Sequence, residues 1–390
     1  MNSVGLTDLD LESLRKIVRS KVIEISKECD TTDRFPMELY EQLHVDGWLR
    51  AFVPDPAGGA GSDLYALAQI ARELAYGSTG VFTTFTVNFL GMSPLLLYGP
   101  RPLAERLCSE FGRRLALWSY AMTEPDTGSE IAKTRTLARR VEGGYRLSGK
   151  KCLISNATFA EHMSVFARIE GSDPERPAIT TFYVPGDSPG LTRGAPLKKL
   201  GQRDSNTSEL YFDDVFVPSE NRIGAEGQGL RIAFHCLQRS KILIAAAAVG
   251  VSDRARDLVV GHLRSRELYG GPLLRQPTIH HQLAQLETEA EAAWLLTARA
   301  AAKWSVDDFA VKEASMAKMF AANLAVKYVS EALELFGGYG FTREYEIEKL
   351  YRDVRVLEIY EGPTFVQQAL IARELFPELK GSGKSERKAA

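Results

Sequence analysis

Along these 390 residues the hydrophobic pattern changes period twice. Up to about residue 116, apolar residues recur every three or four positions, as in Leu11, Leu14, Val18, Val22 and Ile25 and again in Leu64, Leu67, Ile70 and Leu74. That spacing predicts helices with one buried face. Between them, Val53–Asp63 is rich in Pro and Gly and reads as a loop, with Ser62 or Asp63 available to cap the next helix. From about Leu117 to Val217 the texture becomes short β-branched and aromatic runs, among them Ser164-Val165-Phe166-Ala167 and Ile179-Thr180-Thr181-Phe182-Tyr183-Val184, and Glu142-Gly143-Gly144 reads as a hairpin turn. No helical pattern interleaves these runs, which predicts a largely antiparallel β-domain and excludes the usual nicotinamide-binding βαβ architecture. After Gly227-Gln228-Gly229 helical patterns return, from Leu230 to Val249, from about His280 to Trp304 and from Ala310 to Leu335. The expected organisation is α+β and multidomain: an N-terminal helical domain at 1–116, a central β-domain at 117–222, a C-terminal helical domain at 223–377 and a flexible tail at 378–390.

Composition limits the partners. A 45% hydrophobic, 25% charged chain is ordinary for a soluble protein, and ~150 residues per domain allows two or three domains. With 48 Lys and Arg against 50 Asp and Glu, no basic surplus exists to neutralise many phosphates, which argues against nucleic acid. Residues Met1–Asp8 lack the pattern of a signal peptide, and no uninterrupted apolar run reaches the ~20 residues of a membrane span, so a cytoplasmic chain is expected. Cys29, Cys108, Cys152 and Cys236 are scattered without a CxxC pair, and the adjacent His280 and His281 diverge on a helix, so reduced thiols and no metal site are expected. Gly383-Lys384-Ser385 lacks the first glycine of a P-loop, and the sequons at Asn156 and Asn206 read as coincidental. Glu287, Glu289 and Glu291 read as a solvated helix face.

The chemistry concentrates in motifs that follow one another in order. Tyr120-Ala121-Met122-Thr123-Glu124-Pro125-Asp126-Thr127-Gly128-Ser129-Glu130 is joined by Leu200-Gly201-Gln202-Arg203-Asp204-Ser205, by Phe212-Asp213-Asp214-Val215-Phe216-Val217-Pro218 and by Arg266-x-x-Tyr269-Gly270. Phe336-Gly337-Gly338-Tyr339-Gly340-Phe341 and Ile359-Tyr360-Glu361-Gly362 complete the set. Over roughly residues 10–377 the chain resembles the acyl-CoA dehydrogenase family.

That resemblance implies a C-terminal four-helix bundle and a bound FAD contacted by Tyr120, Met122, Thr123, Gly128 and Ser129. Thr123 would bond the pyrimidine edge of the flavin, and Ser129 would lie near the pyrophosphate or the thioester end of the substrate. A second flavin segment matches Leu153, Ile154 and Ser155, with Ser155 at the position of a hydroxyl near flavin N5. Arg266 and Tyr269 resemble residues that reach the FAD of a neighbouring subunit, and Gly337 and Gly338 would approach the same cofactor, which implies a homotetramer or homodimer. Glu361 would be the base that removes the α-proton of an acyl thioester, raised in pKa by desolvation, while its own N–H and a flavin hydroxyl stabilise the developing enolate. Ser240, where some members carry the base, is not acidic and favours Glu361. Substrate contacts would come from Ser129, Ser240, Lys241 and Gly362. The implied substrate is an acyl group on CoA or on a carrier protein, and the implied electron acceptor is an electron-transfer flavoprotein or a similar protein.

Departures from the family pattern mark a divergent branch. Leu153 stands where Trp is usual, Lys241 where Arg is usual, Pro277 and Glu334 where Gln is usual, and Pro363 and Phe365 where Thr and Gln are common. The missing aromatic wall at Leu153 keeps a flavin oxidase or monooxygenase open as the alternative. A non-enzymatic binding homologue is disfavoured by the near-neutral charge and the presence of Glu361.

Overall fold

In a computed structural model, which describes residues 8–268, 270–304 and 309–380, the first helical stripe carries an irregularity that its spacing does not announce. Helix α1 (Asp8–Ile17) runs through a π-helical stretch at Val18–Val22 into α2 (Ile23–Thr32). The wider π turn absorbs an extra residue. The buried face therefore moves from Leu11, Leu14, Val18 and Val22 to Ile23, Ser26 and Cys29, and Ile25 is only half-buried. Helix α3 (Met37–Val45) follows. Helix α4 (Leu64–Gly77) is capped by Asp63, whose carboxylate accepts the Ala66 N–H at 2.8 Å, and its stripe Leu64, Leu67, Ile70 and Leu74 is buried as expected. Helices α5 (Thr79–Tyr98) and α6 (Arg101–Arg113) complete the N-terminal segment.

The strands are β1 (Trp118–Ala121), β2 (Leu137–Val141), β3 (Gly144–Ser155), β4 (His162–Ile169), β5 (Ile179–Pro185), β6 (Leu191–Arg193), β7 (Thr207–Pro218) and β8 (Arg222–Ile223). They form one sheet in the order β6-β7-β3-β2-β4-β5-β8, with β1 also paired to β4. The expected hairpin lies between β2 and β3, with Gly143 at φ 77°. One refinement concerns direction: β1 and β2 both run parallel to β4, at His162–Val165 and Arg168–Ile169. The chain leaves the sheet after Ala121 and rejoins the same edge of β4 at Leu137 in the same sense, so residues 122–136 form an excursion beside β3. Leu147, Val165, Phe182, Val184, Leu210 and Val215 are among the residues that fill the core on this sheet.

Helix α7 (Gly229–Ser265) is followed by the short pair β9 (Glu267–Leu268) and β10 (Gly271–Pro272), then by α8 (Pro277–Trp304), α9 (Val311–Leu335), α10 (Ile347–Val354) and α11 (Thr364–Leu375). The chain divides into two compact units, one made of residues up to Leu67 with Gly80–Ser240, the other of Ala68–Thr79 with the described residues from Lys241 onward. In the second unit, α9 packs against α8, α10 and α11. The end of α4 joins it through Arg72–Asp253 at 2.7 Å and Tyr76–Asp257 at 2.8 Å.

Helices α5 and α7 are each long and apolar enough to cross a membrane, although 89% and 83% of their apolar windows are buried inside the protein, as in core helices of a soluble fold. Glu287 and Glu289 are not simply solvated: Glu287 accepts the Tyr328 hydroxyl at 2.6 Å, and Glu289 holds Lys327 at 2.8 Å. Neighbouring helices reach these carboxylates, which spacing along one helix could not reveal. Of the expected tail, residues 381–390 lie outside the described residues, including Gly383-Lys384-Ser385. Asn156 and Asn206 are both buried, in keeping with coincidental sequons.

Candidate active site

In the first unit, the excursion between β1 and β2 is tied to the end of β3. The Cys152 N–H donates to the Thr123 carbonyl at 2.9 Å, and the Ser119 hydroxyl donates to the Ser155 carbonyl at 2.9 Å. Lys151 donates to the Met122 carbonyl at 3.0 Å and to the Glu124 carboxylate at 2.7 Å. Glu124 also accepts the Arg135 and Thr136 backbone N–H groups and the Thr136 hydroxyl, so one carboxylate closes the excursion at both ends. Burial works against charge on Glu124, but Lys151, Thr136 and Arg135 outweigh it and hold the carboxyl below its ordinary range. Burial pushes Lys151 down to about 8.

These bonds bring Tyr120, Met122 and Thr123 together with Leu153, Ile154 and Ser155. Tyr120 and Ile154 are buried; Met122, Thr123 and Ser155 are half-buried. The β3–β7 register shifts between Lys151 and Ile154, and Leu153 adopts φ 56° there and stands 64% exposed. A branched apolar side chain in the left-handed region costs ~1–3 kcal/mol. Such bulges re-aim side chains beside functional sites. Gly128 and Ser129 are exposed on the excursion. Ser240 is fully buried, and its hydroxyl donates to the Leu237 carbonyl of its own helix at 3.1 Å.

In the second unit, Glu361 has φ 51° and Gly362 has φ 97°. The Gly362 carbonyl accepts the Lys318 ammonium at 2.9 Å and the Gln367 amide at 2.7 Å. Lys241 and Lys318 are both buried. Burial pushes Lys241 down to about 7, against the pull of Glu361, and a repulsion from Lys318 adds to the fall. Burial pushes Lys318 down to about 8, against Glu361 and Glu358. Glu358, one helical turn earlier, is instead engaged by Arg355.

A second group of expected residues gathers at the other end of this unit. His262 stacks on Phe336 with ring centroids 4.2 Å apart, and the exposed Arg266 lies over the Tyr339 ring at 5.5 Å. This puts Arg266 beside the turn that carries Gly337 and Gly338, both exposed, as is Glu334 at the end of α9. Tyr269 lies outside the described residues.

Sequence reasoning missed Glu124, Lys151, Lys318 and Gln367. Lys318 had a signal, since it sits on an α9 face with the small buried residues Ala314, Ser315, Ala321 and Ala325. The Glu124–Lys151 pair, far apart along the chain, had none.

The family models cover both units: the acyl-CoA dehydrogenase N-terminal domain matches residues 9–111, the middle domain 119–215 and the C-terminal domain 227–376. This chain belongs to the acyl-CoA dehydrogenase family. It is 35% identical over 372 residues, 94% of this chain and 96% of the relative, to a cyclohexane-1-carbonyl-CoA dehydrogenase of Geobacter metallireducens. Among solved structures it is similar to butyryl-CoA dehydrogenase from Megasphaera elsdenii, with 31% identity, a TM-score of 0.91 and coverage of 95% of this chain and 98% of that one. It is also similar to the prolyl acyl carrier protein oxidase AnaB, with 26% identity, a TM-score of 0.89 and coverage of 95% and 100%. The chain is an enzyme of the oxidoreductase class, in a family of flavoproteins.

The residues of this acyl-CoA dehydrogenase family member fit a flavin cofactor. Leu153 presents an exposed apolar side chain from a strained bulge, next in the chain to Cys152, whose N–H holds the Thr123 carbonyl. Among the described residues, apart from the chain neighbours, no atom lies within 4 Å of the place a Cβ would take at Gly128 or Gly338, so open space rather than internal packing faces these backbones, which suits close approach of a ligand.

Proposed function

We propose that this protein is an FAD-dependent α,β-dehydrogenase of an acyl thioester, with Glu361 as the α-proton base. The observation that carries this reading is the left-handed Glu361–Gly362 turn, which presents a carboxylate beside the buried Lys241. Bound FAD supplies the acceptor for the hydride that leaves the β-carbon. Glu361 takes the α-proton onto its carboxylate, and its backbone N–H is the donor for the thioester oxygen where enolate charge develops. Tyr120, Met122, Thr123, Leu153, Ile154 and Ser155 hold the flavin ring. Gly128, Ser129, Arg266, Tyr269, Glu334, Gly337 and Gly338 serve the rest of the cofactor, with Ser129, Ser240, Lys241 and Gly362 toward the substrate.

The acyl carrier is CoA or a carrier-protein phosphopantetheine, in line with the named substrates of the relatives, and the departures at Leu153, Lys241 and Pro363 favour a specialised acyl group. Electrons pass on to an electron-transfer flavoprotein or a similar acceptor. The proposed domain boundaries at 116 and 222 take support from the gaps between the family-model matches, at 112–118 and 216–226. A homotetramer or homodimer is supported by the exposed Arg266 and by Phe341, 88% exposed on the same turn as Gly337.

The test is anaerobic stopped-flow bleaching of the flavin with a panel of acyl-CoA and carrier-bound thioesters. Glu361→Gln should bind FAD normally and reduce it ~10²- to 10⁴-fold more slowly. An unchanged rate refutes the base. The second reading, a flavin oxidase or monooxygenase, is favoured by the missing aromatic at Leu153 and by the likeness to a protein titled an oxidase. Stoichiometric O₂ consumption in air would put it first.

A further inference from the structure

We propose that Lys318 and Gln367 are positioning residues for Glu361, because both side chains, fully buried, donate to the Gly362 carbonyl and thereby fix the turn that aims the carboxylate. The inference rests on Glu361 being the base. The donor distances are 2.9 Å from the Lys318 ammonium and 2.7 Å from the Gln367 amide, which also lies 3.4 Å from the Glu361 carbonyl.

Three features make this a clamp and not incidental packing. The peptide after Gly362 leads into Pro363 and has no N–H, so the carbonyl is the only polar handle by which that peptide plane can be held. Among the described residues the buried Gln367 Oε1 has no hydrogen-bond partner, so the amide is oriented by its donation to the turn at the expense of its own acceptor. Lys318 arrives from a buried face of α9 that otherwise carries the small residues Ala314, Ser315, Ala321 and Ala322, and a buried ammonium is costly to keep there unless its charge and its donors are used. Glu361 and Gly362 both sit at positive φ, a conformation that a non-glycine residue at 361 holds only when its surroundings over-determine it.

Two roles for Lys318 can be separated. Its hydrogen bond holds the turn, and its charge also acts on the Glu361 carboxylate. The charged groups that act there include Lys241 from α7 and Lys318 from α9, with Glu358 one turn back along the chain held by Arg355. Gln367, from α11, is neutral and acts through geometry alone.

The experiment compares Lys318→Met, Gln367→Leu, the double variant and Glu361→Gln in the FAD-loaded enzyme, measuring anaerobic flavin reduction against pH, FAD affinity by fluorescence and substrate affinity by titration. Each single clamp variant should slow flavin reduction ~10- to 100-fold while FAD and substrate affinities stay nearly unchanged. The double variant should lose little more than the worse single, because both donors act on one carbonyl. Lys318→Met should also move the acid limb of the rate profile to higher pH, since the carboxylate loses a neighbouring positive charge, whereas Gln367→Leu should lower the plateau and leave the limb in place. Lys318→Arg should restore the limb in part. Should Lys318→Met not fold, Gln367→Leu carries the test with the lysine intact. If Glu361→Gln is severely impaired and Gln367→Leu reduces its flavin at the wild-type rate, the positioning role is overturned and the base stands. If Glu361→Gln itself is unimpaired, the base reading fails and takes this inference with it.

Discussion

The Lys151 ammonium and the Glu124 carboxylate meet at 2.7 Å with 0% and 4% of their side chains exposed, joining strand β3 to the excursion that carries Thr123. Breaking a buried pair from one side leaves an unpaired charge, which costs ~3–5 kcal/mol. Lys151→Met should therefore be destabilised by about that amount in denaturant unfolding, and purified protein should retain less FAD. The Glu124→Met, Lys151→Met double variant should recover much of the stability, because no charge is left stranded, while FAD retention stays low. Equal instability of single and double variants would show that the pair acts through packing alone.

Lys241 gives stability a pH dependence of a definite sign. Its folded pKa is about 7, below the ordinary 10.5. Below pH 7 the lysine is charged in both states and the full cost of its burial is present. Between pH 7 and 10.5 the unfolded chain binds more protons at this residue than the folded one, so this contribution to stability rises with pH, by at most ~1.4 kcal/mol per pH unit. The advantage of Lys241→Met over wild type in urea unfolding should be greatest below pH 7 and shrink toward pH 9.5. A difference that stays constant across that range would refute the assignment.

Leu153 holds a left-handed backbone and an exposed side chain at once, and the two can be separated. Leu153→Gly should raise the stability of the flavin-free protein by ~1 kcal/mol, since glycine enters that region without strain. The same variant should bind FAD more weakly, because the apolar face is gone. Thermal melts with and without FAD check both halves, and a variant that binds FAD as tightly as wild type would remove Leu153 from the cofactor site.

Much of the fold was legible because it is recorded over short spans. The order of helices, strands and helices, a cap at Ser62 or Asp63, the stripe from Leu64 to Leu74 and the hairpin at Gly143 each depend on residues a few positions apart. The same holds for the Glu361–Gly362 motif, whose turn reads from adjacent residues. The π turn at Val18–Val22 was not legible, because a helix that widens by one residue keeps an apolar pattern that looks regular until its burial is seen. Nor was the parallel pairing of β1 and β2 with β4, which is set by how the chain returns to the sheet.

What sequence alone determined, then, is most of the local conformations and the motifs from which the proposed chemistry is read. Tertiary structure decided which buried charges meet. Lys151 reaches Glu124, and Lys318 and Gln367 converge on the Gly362 carbonyl, because strand register and helix packing bring together groups that no spacing along the chain relates. A buried ammonium is tolerated only where such partners arrive, so the residues that hold the Glu361 turn became readable when α9 and α11 were packed against each other.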